Sequence, residues 1–179
     1  MKKLLFLSFI FLAMGCNKPT STSQNSQSSN TTQAKFAIIA LNDNGKLGKQ
    51  IGCDDSVVFI NSSGTSATEP LNDAFKALFN FNEQSFSNSQ YKDAELNNII
   101  FSAQRIENKK VLFFDKASLE GNVAKLYLTG SMGSIGGVCD EPRVIEQINS
   151  TALQFPQVKT VEVYLNGKLF DLAKFYSQK

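Results

Sequence analysis

Three cysteines and a few acidic clusters are the residues of this sequence whose types could carry chemistry, and histidine is absent. Without histidine the chain lacks the commonest general base and metal ligand, and neither a Ser–His–Asp nor a Cys–His site can form within it. The pair Asp54-Asp55 could act as an acid or a base beside a cleft, but such a pair is more typical of a solvated turn. We therefore expect no catalytic residues and no cofactor, and we predict that the protein is not an enzyme.

Cys16 follows a segment that reads as a secretory signal. Lys2 and Lys3 supply the positive start, and the apolar run over residues 4–13 is too short for a good membrane span. The run ends in LAMGC, which resembles the lipobox of bacterial lipoproteins. This resemblance implies a signal peptide over residues 1–15 and a lipid anchor, including palmitate, on Cys16. The alternative is ordinary secretion with Cys16 left free.

Residues 17–33 consist almost entirely of Ser, Thr, Gln and Asn, so nothing there can be buried and we predict a disordered linker. A flexible chain of this length reaches about 20–25 Å. We therefore divide the chain into residues 1–15, residues 16–34 with the lipidated cysteine and linker, and a folded domain over 35–179. Without Lys2 and Lys3, 16 of the 18 basic residues remain against 16 acidic ones, which argues against a nucleic-acid partner.

Cys53 and Cys139 form an even pair once Cys16 is acylated, and an extracytoplasmic location would let them form a disulfide. Two separate buried thiols are the alternative. A metal site would add Asp54, Asp55, Asp140 and Glu141. We do not expect a metal, since the chain offers neither histidine nor a close cysteine pair.

The glycine-rich loop GSMGSIGG precedes a predicted helix and could be a phosphate cradle. It lacks the Lys-Ser/Thr of a P-loop, and Asp140 and Glu141 would repel an anion at that end. A flexible connector is the better interpretation.

Local patterns predict the elements that must position these residues. Alternating or continuous apolar runs indicate strands, and apolar residues at helical spacing indicate two helices. The predicted strands cover 36–41, 57–60, 111–119, 123–129 and 161–165. The predicted helices run from caps at Thr68 and Asp140, with buried stripes at Leu71, Ala74, Phe75, Leu78, Phe79 and at Val144, Ile145, Ile148, Ala152, Phe155. Asn166-Gly167 favours a type I′ hairpin turn.

Phe81, Phe86 and Tyr91 lie in the polar connection 80–93 and could form an exposed patch for a partner. We favour the alternative, that they cover an edge of the core. The order of elements predicts an α+β domain with two helices on one face of a mostly antiparallel sheet of four or five strands.

Residues 55–172 resemble a GerMN domain, a module of spore-germination and sporulation lipoproteins. The resemblance rests on CDEPR at 139–143, TALQFPQV at 151–158, VEVYLNG at 161–167 and the hairpin EGNVAKLYL at 120–128. It implies a compact fold similar to ring-building motifs and an extracytoplasmic, often lipid-anchored domain. No catalytic residues are known for the family, so the resemblance transfers none.

Together these observations predict a lipid-anchored cell-envelope protein whose domain mediates protein–protein assembly. We expect a membrane contact through the lipid on Cys16, and an envelope protein partner or self-association through a sheet edge or a helix face. The alternative function is a binding module for a cell-wall glycan or small ligand.

Overall fold

The computed structural model describes residues 33–62, 68–83, 86, 89–133 and 135–177. Over these residues ten strands and four α-helices follow one another. The strands are β1 (Lys35–Ala40), β2 (Lys49–Gln50), β3 (Ser56–Asn61), β4 (Leu96–Asn97), β5 (Arg105–Ile106), β6 (Lys109–Lys110), β7 (Leu112–Glu120), β8 (Val123–Gly130), β9 (Thr160–Leu165) and β10 (Lys168–Leu169). The helices are α1 (Pro70–Asn80), α2 (Ile99–Ala103), α3 (Asp140–Leu153) and α4 (Leu172–Ser177).

The strands form two four-stranded sheets and one small hairpin within the described residues. The first sheet has the order β2-β3-β1-β4, the second has the order β10-β9-β8-β7, and β5 pairs with β6. Every pairing is antiparallel except that of β8 with β9, which α3 connects. The α+β class and the mostly antiparallel pairing are confirmed. The prediction of two helices on a single sheet is wrong in detail, because four helices accompany two sheets.

The two sheets stay separate because α3 occupies the edge along which β1 could be extended. β4 pairs only with Ile39 and Ala40 of β1. Further along the same strand, the backbone N–H of Ala37 donates to Thr151 Oγ1 at 2.9 Å, and Gln147 Nε2 donates to the Ala37 carbonyl at 3.2 Å. Since side chains of a helix already satisfy these groups, a further strand cannot pair there.

Helix α1 buries the predicted stripe. All five residues of that stripe lie in the core. Pro70 stands in its first turn, where a missing N–H costs nothing. The helix packs mainly against β7 and β1, so it bridges the two sheets. Burial of a large apolar side chain such as Phe75 or Leu78 contributes about 1.5–3 kcal/mol.

Both predicted helix caps are wrong by one residue. Glu69 rather than Thr68 precedes α1, and Cys139 rather than Asp140 precedes α3, with no capping hydrogen bond from the side chain of either. The Asp140 carboxylate instead accepts from the Gly136 N–H at 3.1 Å and from Arg143 Nη1 at 3.0 Å. Helix α3 ends at Leu153, short of Pro156, which cannot continue a helix.

Two-residue turns set the register of the second sheet. Asn166 and Gly167 have φ values of 51° and 77°, as a type I′ turn requires, and they connect β9 to β10 as predicted. The Asn166 side chain also accepts from the Gly130 N–H and donates to the Gly130 carbonyl. The end of β8 is thereby fixed beside the hairpin.

The aromatic residues of the 80–93 connection cover the core, as we favoured. Phe81 lies with its ring centroid 5.1 Å from those of both Phe36 and Phe86. Tyr91 is buried, and its hydroxyl donates to the Phe59 carbonyl at 3.2 Å. These side chains therefore do not form an exposed patch.

Candidate interaction surface

Cys53 and Cys139 lie at disulfide distance, with Cα atoms 6.0 Å apart and a sequence separation of 86. The predicted pairing is thus present in the structure. Cys53 lies in the turn before β3 and Cys139 immediately before α3, so the bridge connects the first sheet to the central helix. Cys16 and the predicted signal peptide lie outside the described residues.

An ion pair lies directly beside this bridge. Arg143 Nε donates to Oδ2 of the fully buried Asp55 at 2.7 Å, while its Nη1 reaches Asp140. Asp55 also accepts from the Asn42 N–H at 3.0 Å. Partial burial acts to lower the pKa of Arg143, but the hydrogen bonds that it donates to both carboxylates outweigh this effect and hold that pKa above its usual value.

This arrangement gives the acidic residues a structural role. Asp55 faces inward to a cation, whereas Asp54 is exposed, so the two carboxylates do not face a common cleft. Asp140 Oδ2 already accepts a hydrogen bond from the Gly136 N–H. A phosphate oxygen bound in the glycine-rich loop would have to compete for that N–H. Within the described part of the chain, no group of three or more Cys, Asp or Glu residues is placed to hold a metal ion.

The edge of β1 is closed by polar residues of α3, which excludes it as a docking edge. Besides Gln147 and Thr151, Gln154 Nε2 donates to the Lys35 carbonyl at 2.6 Å. These three residues lie at i, i+4 and i+7, so one stripe of α3 follows the strand edge.

The edge of β7 is also protected, at the other side of the second sheet. Its register with β8 shifts between Phe114 and Lys116, which marks a β-bulge at Asp115. The Ala117 N–H, which points away from β8, donates to Asn72 Oδ1 of α1 at 2.9 Å. A bulge and a charged residue on an edge strand both discourage pairing with another chain. The expected route of association through a sheet edge therefore has little support at β1 and β7.

The second sheet presents a face that points away from the core. Along β8, Ala124, Leu126 and Leu128 are buried, while Lys125 and Tyr127 between them are only partly buried. We call the surface on that side the outer face. It is formed by Lys110, Phe113, Lys116, Lys125, Tyr127, Glu162, Tyr164 and Leu169.

One row of side chains crosses all four strands of the outer face. Lys116 of β7 is opposite Tyr127 of β8, Tyr127 is opposite Tyr164 of β9, and Tyr164 is opposite Leu169 of β10. The rings of Tyr127 and Tyr164 stack with centroids 5.1 Å apart and planes 20° apart. The Lys116 ammonium lies 5.1 Å from the Tyr127 centroid, within cation–π range.

Neighbouring charges hold this row in place. Tyr164 Oη donates to Glu162 at 2.8 Å, and this hydrogen bond raises the pKa of Tyr164. Lys125 pairs with Glu120 and lies 5.8 Å from the Tyr164 centroid. The aromatic pair is therefore ordered before any partner binds, which lowers the entropy lost on association.

Apolar area and uncompensated positive charge lie at the ends of the outer face. Leu169 is 67% exposed and Phe113 is 48% exposed, with the Lys110 ammonium 5.7 Å from the Phe113 centroid. Lys110 and Lys116 take part in none of the ion pairs found among the described residues. The surface thus combines rigid aromatic rings, exposed apolar side chains and two free cations.

Sequence reasoning missed this surface although all of its residues except Lys110 and Leu169 lay in predicted strands. The alternation of apolar and polar residues correctly placed Tyr164 on the opposite face of its strand from Val163 and Leu165. The residues facing away from the core were then treated as ordinary solvent-facing positions. A usable signal was the residue type, since tyrosine on the polar side of two strands is typical of an interaction surface.

No family model matches the chain, and neither do curated proteins or solved structures. No helix among the described residues is both long and apolar enough to span a membrane.

Proposed function

We propose that this chain is a non-enzymatic, lipid-anchored protein of the bacterial cell envelope that docks through its outer face onto an acidic surface of another protein. The observation that carries the proposal is the Lys116–Tyr127–Tyr164–Leu169 row, which is in register across four strands. Tyrosine is enriched among the residues that dominate protein–protein binding energy. The LAMGC sequence and the linker support the anchor, and the GerMN resemblance supports the envelope location.

The charges of the outer face favour an acidic partner. Lys110 and Lys116 have no acidic partner among the described residues, so carboxylates on another protein would complete their environment. Two copies of the chain meeting face to face would bring these lysines together, which is unfavourable. A different protein with an acidic surface is therefore a better partner than a second copy of this chain.

The ring geometry favours a protein over a glycan. Sugars stack on free ring faces, but Tyr127 has Tyr164 on one side and the Lys116 ammonium within cation–π range. Exposed apolar groups at Phe113 and Leu169 suit the apolar centre of a protein interface instead.

The proposal is tested by site-specific photo-cross-linking of the full-length chain in cells. A photoreactive residue replaces Phe113 on the outer face or, as the matched control, Leu153 on α3, since both side chains are 48% exposed. We expect the probe at residue 113 to yield one discrete adduct with an acidic protein, and the probe at residue 153 to yield none. Equal adducts at both positions, adducts only with cell-wall fragments, or only dimers of the chain would contradict the proposal.

A further inference from the structure

The bridge between Cys53 and Cys139 is accessible from one side. The Cys53 side is exposed, whereas Cys139 is half-buried at the start of α3. An attacking thiolate can therefore approach the Cys53 sulfur more readily, with Cys139 as the leaving group.

The position of Cys139 suits a leaving thiolate. It directly precedes α3, a helix of 14 residues, whose N-terminal dipole favours the negative charge of a departing thiolate. The neighbouring Asp140 and Glu141 carboxylates oppose this effect, and Arg143 and the Gly136 N–H offset the part of Asp140 by binding its carboxylate. A sulfur whose thiolate is stabilised leaves faster in disulfide exchange.

Backbone strain adds a second, independent reason for reactivity at Cys53. Cys53 and Asp54 have φ values of 62° and 58°, a left-handed conformation that side-chain-bearing residues disfavour. The bridge is attached at the first residue of this strained turn.

We infer that the Cys53–Cys139 bridge is a site of reversible thiol–disulfide exchange with a dithiol oxidoreductase. A thiolate of the oxidoreductase attacks Cys53 Sγ and forms a mixed disulfide, and Cys139 leaves as a thiolate that takes up a proton. The second thiol of the oxidoreductase then attacks the mixed disulfide and releases Cys53 as a thiolate, which is protonated in turn. The bridge gains two electrons and two protons, and the oxidoreductase becomes the disulfide.

The Arg143–Asp55 ion pair makes this exchange reversible without loss of the fold. It joins the same two segments as the bridge, two residues after Cys53 and four residues after Cys139. With the sulfurs separated, the pair still keeps the two thiols near each other at high effective concentration. Re-formation of the bridge runs through the same mixed disulfide in reverse: the disulfide form of the oxidoreductase accepts the two electrons, and the closing attack of one cysteine on the other is intramolecular in a folded chain.

The attacked sulfur is identified with the full-length wild-type chain and a single-cysteine variant of a thioredoxin-type protein, whose second cysteine is replaced by serine to trap the mixed disulfide. After acid quenching and alkylation, peptide mapping locates the adduct. We expect the trapped protein on Cys53 and the alkyl group on Cys139. An adduct on Cys139, an equal division between the two, or no adduct without denaturant would overturn the inference.

Re-formation is followed after reduction with dithiothreitol, removal of the reductant and addition of a fixed, saturating excess of the oxidoreductase in its disulfide form, which accepts the two electrons. We expect a first-order rate that is independent of protein concentration, slowed roughly tenfold or more by Arg143→Met and unchanged by the control Arg105→Met. If Arg143→Met does not fold, Arg143→Lys replaces it, and a smaller slowing in the same direction is expected. An unchanged rate in a folded Arg143 variant would show that the ion pair does not hold the thiols together.

Discussion

Arg143 Nε donates to Asp55 Oδ2 at 2.7 Å, and this bond ties the first turn of α3 to the residue before β3. Asp55 is fully buried, so its negative charge depends on this cation for compensation. The acidic and basic residues that follow the two cysteines, Asp55 and Arg143, thus have a structural role in this junction.

The ion pair gives the first prediction. Arg143→Met leaves the Asp55 charge buried without its cation, and we expect a loss of about 3–5 kcal/mol in the free energy of unfolding. Adding Asp55→Asn should restore part of that loss, because the double variant has no buried charge. Urea unfolding without reductant measures the difference, with Arg105→Met as the control. A loss below about 0.5 kcal/mol for Arg143→Met would mean that the pair does not stabilise the fold.

The bridge should stabilise the same junction by restricting the unfolded chain. For its sequence separation of 86, the chain-entropy model gives about 4.6 kcal/mol at 25 °C. We therefore expect Cys53→Ala/Cys139→Ala to lower the free energy of unfolding by about 2–5 kcal/mol. Urea unfolding of wild type with and without a reducing agent provides the control, since reduction should reproduce the loss. No loss in either experiment would contradict the prediction.

Gln147 should be the most sensitive polar residue of α3. It is fully buried, donates to the Ala37 carbonyl and Asn98 Oδ1, and accepts from the Ile100 N–H. Gln147→Leu would leave buried groups unsatisfied, at a cost of about 1–3 kcal/mol per group. Gln154→Ala, on the same stripe but only partly buried, should cost less than about 1 kcal/mol. Equal effects in thermal unfolding would show that α3 does not satisfy the β1 edge in the way described.

Asp43 should contribute to the acid sensitivity of the fold. Desolvation acts to raise its pKa, but hydrogen bonds from the Ser56 hydroxyl and the Leu47 and Gly45 N–H groups outweigh it, so the pKa lies below its usual value of 3.8. Because the folded state binds this proton less tightly than the unfolded state, Asp43 adds stability above pH 3.8 that is lost as the pH falls through its folded pKa.

The measurement is urea unfolding at several pH values from about 5 down to about 2. Asp43→Asn should make stability fall less steeply over this range than in wild type. Asp93→Asn, at an exposed carboxylate, is the matched control for removing one acidic group. A steeper slope for Asp43→Asn would mean that the shift has the opposite sign.

Local sequence patterns predicted the elements better than their assembly. The buried stripe of α1 and the Asn166-Gly167 turn depend on nearby residues, and both are confirmed. The separation into two sheets depends on Gln147 and Thr151 meeting Ala37, more than 100 residues away in the sequence. No periodicity in the sequence encodes that contact.

The outer face likewise depends on contacts between distant parts of the chain, which local sequence patterns do not predict. Alternation correctly placed Tyr164 away from the core, but the row with Lys116, Tyr127 and Leu169 exists only because four strands pair in one register. The parallel pairing of β8 with β9, which aligns the two tyrosines, follows from the position of α3 between them. The predicted helix caps failed for a related reason, since Asp140 is drawn to Arg143 and Gly136 instead.

The most direct measurement of the proposed function is the recovery of the cross-linked partner when one charge of the outer face is reversed. Lys116→Glu is compared with Lys76→Glu, an exposed lysine of α1, in cells that carry the photoreactive residue at 113. We expect Lys116→Glu to reduce the adduct roughly tenfold or more, because a carboxylate beside Tyr127 would repel an acidic partner. Lys76→Glu should leave it unchanged. Equal recovery from both variants, with both folded, would contradict docking through the outer face.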